Sequence, residues 1–257
     1  MPWQPLPGPQ TLALNSQADE LFYGGAAGGG KTFYLLGNAA MHKKSVVFRR
    51  TYPRLFEIVQ TSRELFRECG TYNGNEHFWR FATGGLLEFR ALQYEHDKYN
   101  YKGRPHDFYG WDEVTEFTES QYRYVNAWNR TTDRSQRCRI VAAGNPPGSN
   151  EGQWVKTYWG AWLGAAHPNP ALPGELRWYA RLDDKDEELA NGQPFAHVGK
   201  IIYPRSRTFI PASVKDNPFL GEAYIGMLQS LPEPARSQLL YGDWSIGAQD
   251  DQWQVIP

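Results

Sequence analysis

The run GGAAGGGKT at residues 24–32 constrains the chain more tightly than any other segment. Gly25, four intervening residues, Gly30, Lys31 and Thr32 fit GxxxxGK(S/T), a turn that cradles phosphate only when a strand enters it and a helix leaves it. Both flanks are legible, with residues 20–25 reading as a short strand and 32–42 as a helix. Small residues let successive backbone N–H groups approach phosphate oxygens, and the positive end of the helix adds to that attraction. The expected nucleotide contacts are therefore Gly25, Ala26, Ala27, Gly28, Gly29, Gly30, Lys31 and Thr32. Lys31 is expected to reach the β and γ phosphates of ATP, and the Thr32 hydroxyl to ligate Mg2+. The plainer alternative, a flexible glycine-rich turn beside an exposed lysine, leaves the flanking strand and helix unexplained. No GxGxxG occurs in the turn, which argues against a dinucleotide site.

Further strands are expected at 45–50, 77–81, 85–91, 107–111 and 138–143, with helices from Pro53 to near Cys69 and over 117–130. Val46, Val47 and Phe48 form a continuous apolar run, as in a strand covered on both faces. Strands alternating with helices over about residues 20–146 predict an α/β fold, a mostly parallel central sheet flanked by helices. The Pro-rich residues before Asp19 are expected to lie across the surface. The expected organisation is a core over 1–149, an irregular small lobe or linker subdomain over 150–212, and a helical segment with a polar tail over 213–257. Within the lobe, 178–182 and two parts of 197–210 read as extended and DDKDEE at 183–188 as an acidic turn; 218–231 and 233–240 read as helical.

Of 257 residues, 40% are hydrophobic and 21% charged, which excludes a wholly disordered or collagen-like chain. A formal charge of −1 gives no global cationic signal for a nucleic-acid partner, although residues 43–68 carry a local excess of +4. Two cysteines, Cys69 and Cys138, lack paired metal-ligand spacing and make a disulfide framework unexpected. No apolar run approaches the roughly 20 residues of a membrane span, so a soluble intracellular protein without a membrane partner is expected.

Two further signals join the phosphate loop. DFYGWDE at 107–113 delivers Asp112 and Glu113 to a strand end, where an open α/β sheet places its ligand. Asp112 is expected to hold Mg2+ directly or through water, and Glu113 to polarise the attacking water. The alternative is a solvated acidic turn capping the next helix. AAGNPPG at 142–148 follows another core strand, and Asn145 at its tip is the candidate for sensing the γ phosphate; an ordinary Asn-Pro turn is an equal alternative.

As a set, GGAAGGGKT, VVFRRTYPRL, YKGRPHDFYGWDE, AAGNPP, DNPFL and LLYGDW resemble the ATPase region of the large terminase subunit of tailed bacteriophages, over about residues 10–244. The resemblance implies an ASCE-type P-loop NTPase, ATP and Mg2+ as cofactors, and double-stranded DNA as the track. It also implies a motor ring made by self-association, with the portal protein of the procapsid and the small terminase subunit as partners. The implied location is the host cytoplasm, transiently at the portal vertex. Gln10 then looks like the adenine-contacting glutamine. A full large terminase continues into a metal-dependent, RNase H-like nuclease, whereas this sequence ends at Pro257. Asp250 and Asp251 stand side by side in a polar stretch expected to be a solvated tail, so an isolated motor domain without the nuclease is expected.

Arg49 and Arg50 close a core strand, so at least one is expected at the nucleotide edge of the sheet; the resemblance favours Arg50. Arg104, in the polar segment before the acidic strand, resembles an arginine that reaches a neighbouring subunit's ATP and stabilises charge on the transferred phosphoryl group. Arg54, Arg63 and Arg67 are candidates for DNA phosphate contacts, or the polar face of a solvated helix. The expected function is ATP hydrolysis coupled to translocation of double-stranded DNA into a procapsid. The alternatives are another ASCE nucleic-acid-dependent ATPase, of helicase or recombinase type, and a nucleotide-binding assembly module without turnover.

Overall fold

The computed structural model describes residues 3–246. In chain order the strands are β1 (Glu20–Gly25), β2 (Lys44–Arg49), β3 (Gly70–Asn73), β4 (Phe78–Phe81), β5 (Leu86–Ala91), β6 (Phe108–Asp112), β7 (Arg139–Gly144), β8 (Arg177–Leu182), β9 (Lys185–Leu189), β10 (Phe195–His197), β11 (Lys200–Ile202) and β12 (Arg205–Ala212). The α-helices are α1 (Pro9–Asn15), α2 (Lys31–Ala40), α3 (Leu55–Leu65), α4 (Glu119–Asn126), α5 (Trp154–Tyr158), α6 (Gly160–Leu163) and α7 (Glu222–Gln229).

Ten strands form one sheet in the order β3-β4-β5-β2-β6-β7-β1-β12-β8-β9, and β10 with β11 makes a separate hairpin. The six strands from β5 to β12 in that order run parallel, and the outer strands are antiparallel. The expected α/β architecture is the one observed. Because side chains alternate across a strand, β2 sends Val47 to one face, with Leu35 and Leu36 of α2, and Val46 and Phe48 to the other, with Trp111 and Tyr122. Burial on both faces is why these strands carry apolar runs rather than alternation.

The expected boundary at residue 150 does not separate two sheets. β12, inside the segment read as a lobe, pairs with β1 from Glu20↔Arg207 to Gly25↔Ala212. The chemistry was present: Phe209 and Ile210 are buried on opposite faces, as an internal strand requires. The acidic 183–188 stretch is a turn only at Asp183-Asp184; Lys185–Leu189 is edge strand β9, where charged side chains are tolerated and blunt pairing with other chains. The Pro-rich arm contains α1, with Pro9 in its first turn and Gln10 and Ala13 buried. The helix expected over 117–130 spans Glu119–Asn126, its start set by the capping box of Thr118 and Gln121.

Near the carboxyl end, a wide helical turn at Ser237–Tyr241 precedes Trp244, whose ring meets Phe22 edge-on at 5.4 Å. The segment thus returns to the back of the loop-bearing strand. Asp250 and Asp251 lie outside the described residues. Among those described, no helix is long and apolar enough to cross a membrane.

Candidate nucleotide-binding site

Parallel strands bring their carboxyl ends to one edge of the sheet, and five of them supply the site: Gly25, Arg49, Asp112, Gly144 and Ala212 end β1, β2, β6, β7 and β12. The strand that leads to Asn145 lies between the loop strand and the acidic strand.

The loop is held from behind through its carbonyls. Asn145 Nδ2 donates to Gly25 O at 2.7 Å, Lys31 Nζ to Ala26 O at 2.7 Å, and Asn217 Nδ2 to Gly28 O at 2.8 Å. Tyr23 OH donates to Gly29 O at 3.1 Å and Gln10 Nε2 to Gly30 O at 3.3 Å. A trans peptide carries its N–H opposite its C=O, so the N–H groups of Gly29, Gly30 and Lys31 point away from Asn217, Tyr23 and Gln10. Gly30 has φ of 69°, a left-handed conformation that selects glycine, and a Cβ there would also push Gln10 Nε2, 2.6 Å away, off its bond to the Gly30 carbonyl. Ala27, expected among the phosphate contacts, has its N–H engaged by Leu239 O at 2.6 Å. That donor is committed to the carboxyl-terminal segment rather than to a ligand.

Lys31 and Thr32 open α2 and line one pocket with Gly28, Asp112, Glu113 and Asn145. Lys31 is 9% exposed; burial depresses its ammonium pKa, and the nearby Glu113 and Asp112 charges oppose that. Asp112 is 4% exposed, and burial raises its carboxyl above the ordinary range while Arg49, Nε 3.5 Å from Oδ2, pulls it back. Glu113 departs from the strand with φ of 56°, a left-handed conformation unfavourable for a side-chain-bearing residue. That kink turns Glu113 to the wall shared by the loop pocket and a second cleft, lined also by Arg50, Arg54, Thr115 and Ser149. Strain of this kind is typical of functional sites.

The paired arginines separate by strand parity. Arg49 reaches the loop pocket, whereas Arg50, the one favoured from sequence, points to the α4 side and donates through Nη1 to Gln121 Oε1 at 2.8 Å and Leu92 O at 3.2 Å. Arg50 still borders the second cleft. Arg104 is not brought to the loop of its own chain: it is exposed and lines a different cavity with Tyr52, His77, Arg90 and Tyr94. Gln10 is 3% exposed and sits against the loop, its Oε1 accepting from Leu6 N at 3.0 Å. Arg54 is paired with Glu116, and Arg63 lies 4.9 Å from the Tyr72 ring centre. Asn217 went unassigned from sequence; its signal was the DNPFL run just beyond a strand end, where a turn faces the pocket.

A phosphate loop, an acidic pair two strands away and a polar strand tip between them define a P-loop NTPase of the ASCE type. Residues 22–253 match the family described as "Terminase large subunit, T4likevirus-type, N-terminal", and the chain belongs to that family. Its fold is similar to that of the large terminase from a thermophilic bacteriophage, at 12% identity and a TM-score of 0.64, covering 94% of this chain and 54% of the phage protein. The same thermophilic phage's large terminase in complex with ADP matches with a TM-score of 0.63 at 13% identity, over 92% of this chain and 53% of that one. The ATPase domain of the Thermus phage P74-26 large terminase matches at 15% identity with a TM-score of 0.54, over 94% of each chain. The chain thus spans about half the length of the thermophilic phage's large terminase. No curated protein matches it.

Proposed function

We propose that this chain hydrolyses ATP and that hydrolysis drives double-stranded DNA into a procapsid. The observation that carries the reading is the convergence of Lys31, Asp112 and Glu113 on a loop whose carbonyls are tied back by five side chains. Lys31 leaves Ala26 O to bind the β and γ phosphates, Glu113 orients and deprotonates the attacking water, and Asn145 relays the state of the site to the loop. Gln10 contacts the adenine in this reading, which requires its amide to give up its bonds to Leu6 N or Gly30 O. The hydroxyl of Thr32 and the buried carboxylate of Asp112 are hard oxygen donors in one pocket and fit Mg2+, which supplies charge neutralisation at the phosphates. Arg50, beside Glu113 in the second cleft, supports the hydrolytic wall.

Family membership favours packaging over a helicase or recombinase, which use the same site chemistry. Self-association into a ring, a portal protein, a small terminase subunit and work in the host cytoplasm at the portal vertex belong to this reading. So does a motor domain built on 1–149 and 213–257, to which the segment 150–212 lends strand β12 of the central sheet. Phosphate release by wild type and Glu113→Gln tests turnover: loss in the variant with ATP binding kept is expected, and a wild type that binds ATP without turnover would favour an assembly module. ATP-driven protection of DNA inside procapsids separates packaging from unwinding.

A further inference from the structure

The β2–β6 register pairs Phe48 with Trp111, so Arg49 stands level with Asp112 and on the α2 face of the sheet. Its Nε lies 3.5 Å from Asp112 Oδ2 and 3.4 Å from the Arg54 carbonyl. Nη1 is fully buried and meets no hydrogen-bond partner among the described residues. A guanidinium carries five N–H donors in a rigid fork suited to phosphate. Arg49 therefore brings uncommitted donors into the pocket that holds Lys31, Thr32 and residues 27–30 of the loop. Buried donors are rarely left unspent in a native structure without a task.

We propose that Arg49 is a nucleotide-binding residue that grips the terminal phosphate of a bound nucleoside triphosphate, and so lets the site distinguish ATP from ADP. The proposal rests on the nucleotide reading of the pocket. Asp112 needs one cationic partner against the cost of its burial, and Arg49 fills that place here. Only Nε faces Asp112 while Nη1 is uncommitted, so the fork can take phosphate whether or not a divalent cation sits on the carboxylate. The guanidinium already lines the pocket, so a change of side-chain conformation suffices.

The test is equilibrium titration of wild type, Arg49→Ala and Arg49→Lys with ADP and a non-hydrolysable ATP analogue, with Mg2+ and again in chelator. Arg49→Ala is expected to lose about tenfold or more in affinity for the triphosphate, the scale of a charge-assisted hydrogen bond. Its ADP affinity should stay within about twofold. Arg49→Lys, which keeps charge but not the fork, should fall between; it carries the test if the alanine variant melts near assay temperature. The triphosphate-selective loss should persist in chelator. An equal loss for both nucleotides, or no loss, overturns the proposal. A selective loss that vanishes in chelator also overturns it, since Arg49 would then act only through Asp112. If wild type binds neither nucleotide, the reading of the pocket itself falls; if it binds both and only the Arg49 pattern is missing, that reading stands alone.

Discussion

Asn145 Nδ2 donates to the Gly25 carbonyl at 2.7 Å, tying the strand tip between the acidic strand and the loop strand to the first glycine of the phosphate loop. The Asn145 carbonyl in turn accepts from Thr115 Oγ1 at 3.3 Å, just beyond Glu113. One residue thus touches both the loop and the acidic turn. Asn145→Ala is expected to weaken hydrolysis by about 1–3 kcal/mol of activation free energy, as for an unmade buried hydrogen bond. Asn145→Asp should be worse, because a carboxylate faces the Gly25 carbonyl with no proton to donate. Steady-state kinetics of both variants decide this; an aspartate variant at wild-type rate would show that the bond does not matter.

Lys31 is a buried ammonium, and burial alone pushes it towards neutrality. Lys31→Met should therefore leave stability without nucleotide unchanged or higher, since it removes a charge that burial disfavours at the cost of one hydrogen bond to Ala26 O. It should abolish the nucleotide-dependent rise in Tm, which for wild type reaches about 2.7 kcal/mol of stabilisation at a ligand concentration one hundred times Kd. Scanning calorimetry with and without ATP checks both halves.

How much of this was legible depended on whether the determinant was local. The loop, Asp112, Glu113 and Asn145 announce themselves because short-range backbone rules fix a glycine turn before a helix or an acid at a strand end. Which of Arg49 and Arg50 faces the loop pocket depends on strand parity, and parity needs the register of β2 against β6, which no run of adjacent residues specifies. Likewise β12 was read as part of a lobe because its place beside β1 depends on contacts almost two hundred residues apart in the chain. The engagement of the Ala27 N–H by Leu239 is another such long-range pairing.

His42, at the end of α2, accepts from Gln136 Nε2 at 3.1 Å through Nδ1, which only a neutral ring can do. Burial, reinforced by the Arg139 and Arg137 charges, holds its pKa down to about 4; Asp107 at 3.9 Å is the facing carboxylate. A depressed histidine contributes stability above its unfolded pKa of about 6.5 and loses it as pH falls through the folded value. Between pH 6.5 and 4 the unfolded chain takes up a proton that the folded one refuses. Denaturant melts over that window should show a flatter pH dependence for His42→Gln than for wild type; parallel curves would mean the ring titrates alike in both states.

Glu113 carries its strain in the backbone, so function and stability can be separated there. A left-handed conformation costs a side-chain-bearing residue about 1–2 kcal/mol, partly offset in a glycine variant by about 0.5–1 kcal/mol of extra chain entropy. Glu113→Gly is expected to lose turnover yet gain about 0.5–1 kcal/mol, a Tm rise of about 2 °C. Glu113→Ala should lose turnover without that gain. Equal melting of the two variants would show that the kink is not held against a backbone preference.

Arg104 has the reverse geometry to Glu113: it is exposed, and its cavity does not include the phosphate loop of its own chain. Its carbonyl is pinned, accepting from Tyr109 OH at 2.7 Å with His106 Nδ1 at 3.2 Å, so the segment is positioned while the guanidinium faces outward. Were Arg104 to act in phosphoryl transfer, as expected from the sequence, it could do so only at another subunit's site. Mixed assemblies test this. Arg104→Ala subunits keep Glu113, and Glu113→Gln subunits keep Arg104. With a neighbour-donated arginine, an Arg104→Ala site beside a Glu113→Gln subunit regains both base and cation, so mixing should restore part of the hydrolysis that each variant lacks alone. With a same-subunit arginine every site stays deficient, and mixing restores nothing. Absence of recovery in verified mixed rings with intact nucleotide binding would remove the donated role. Full hydrolysis by isolated Arg104→Ala subunits would remove Arg104 from catalysis altogether.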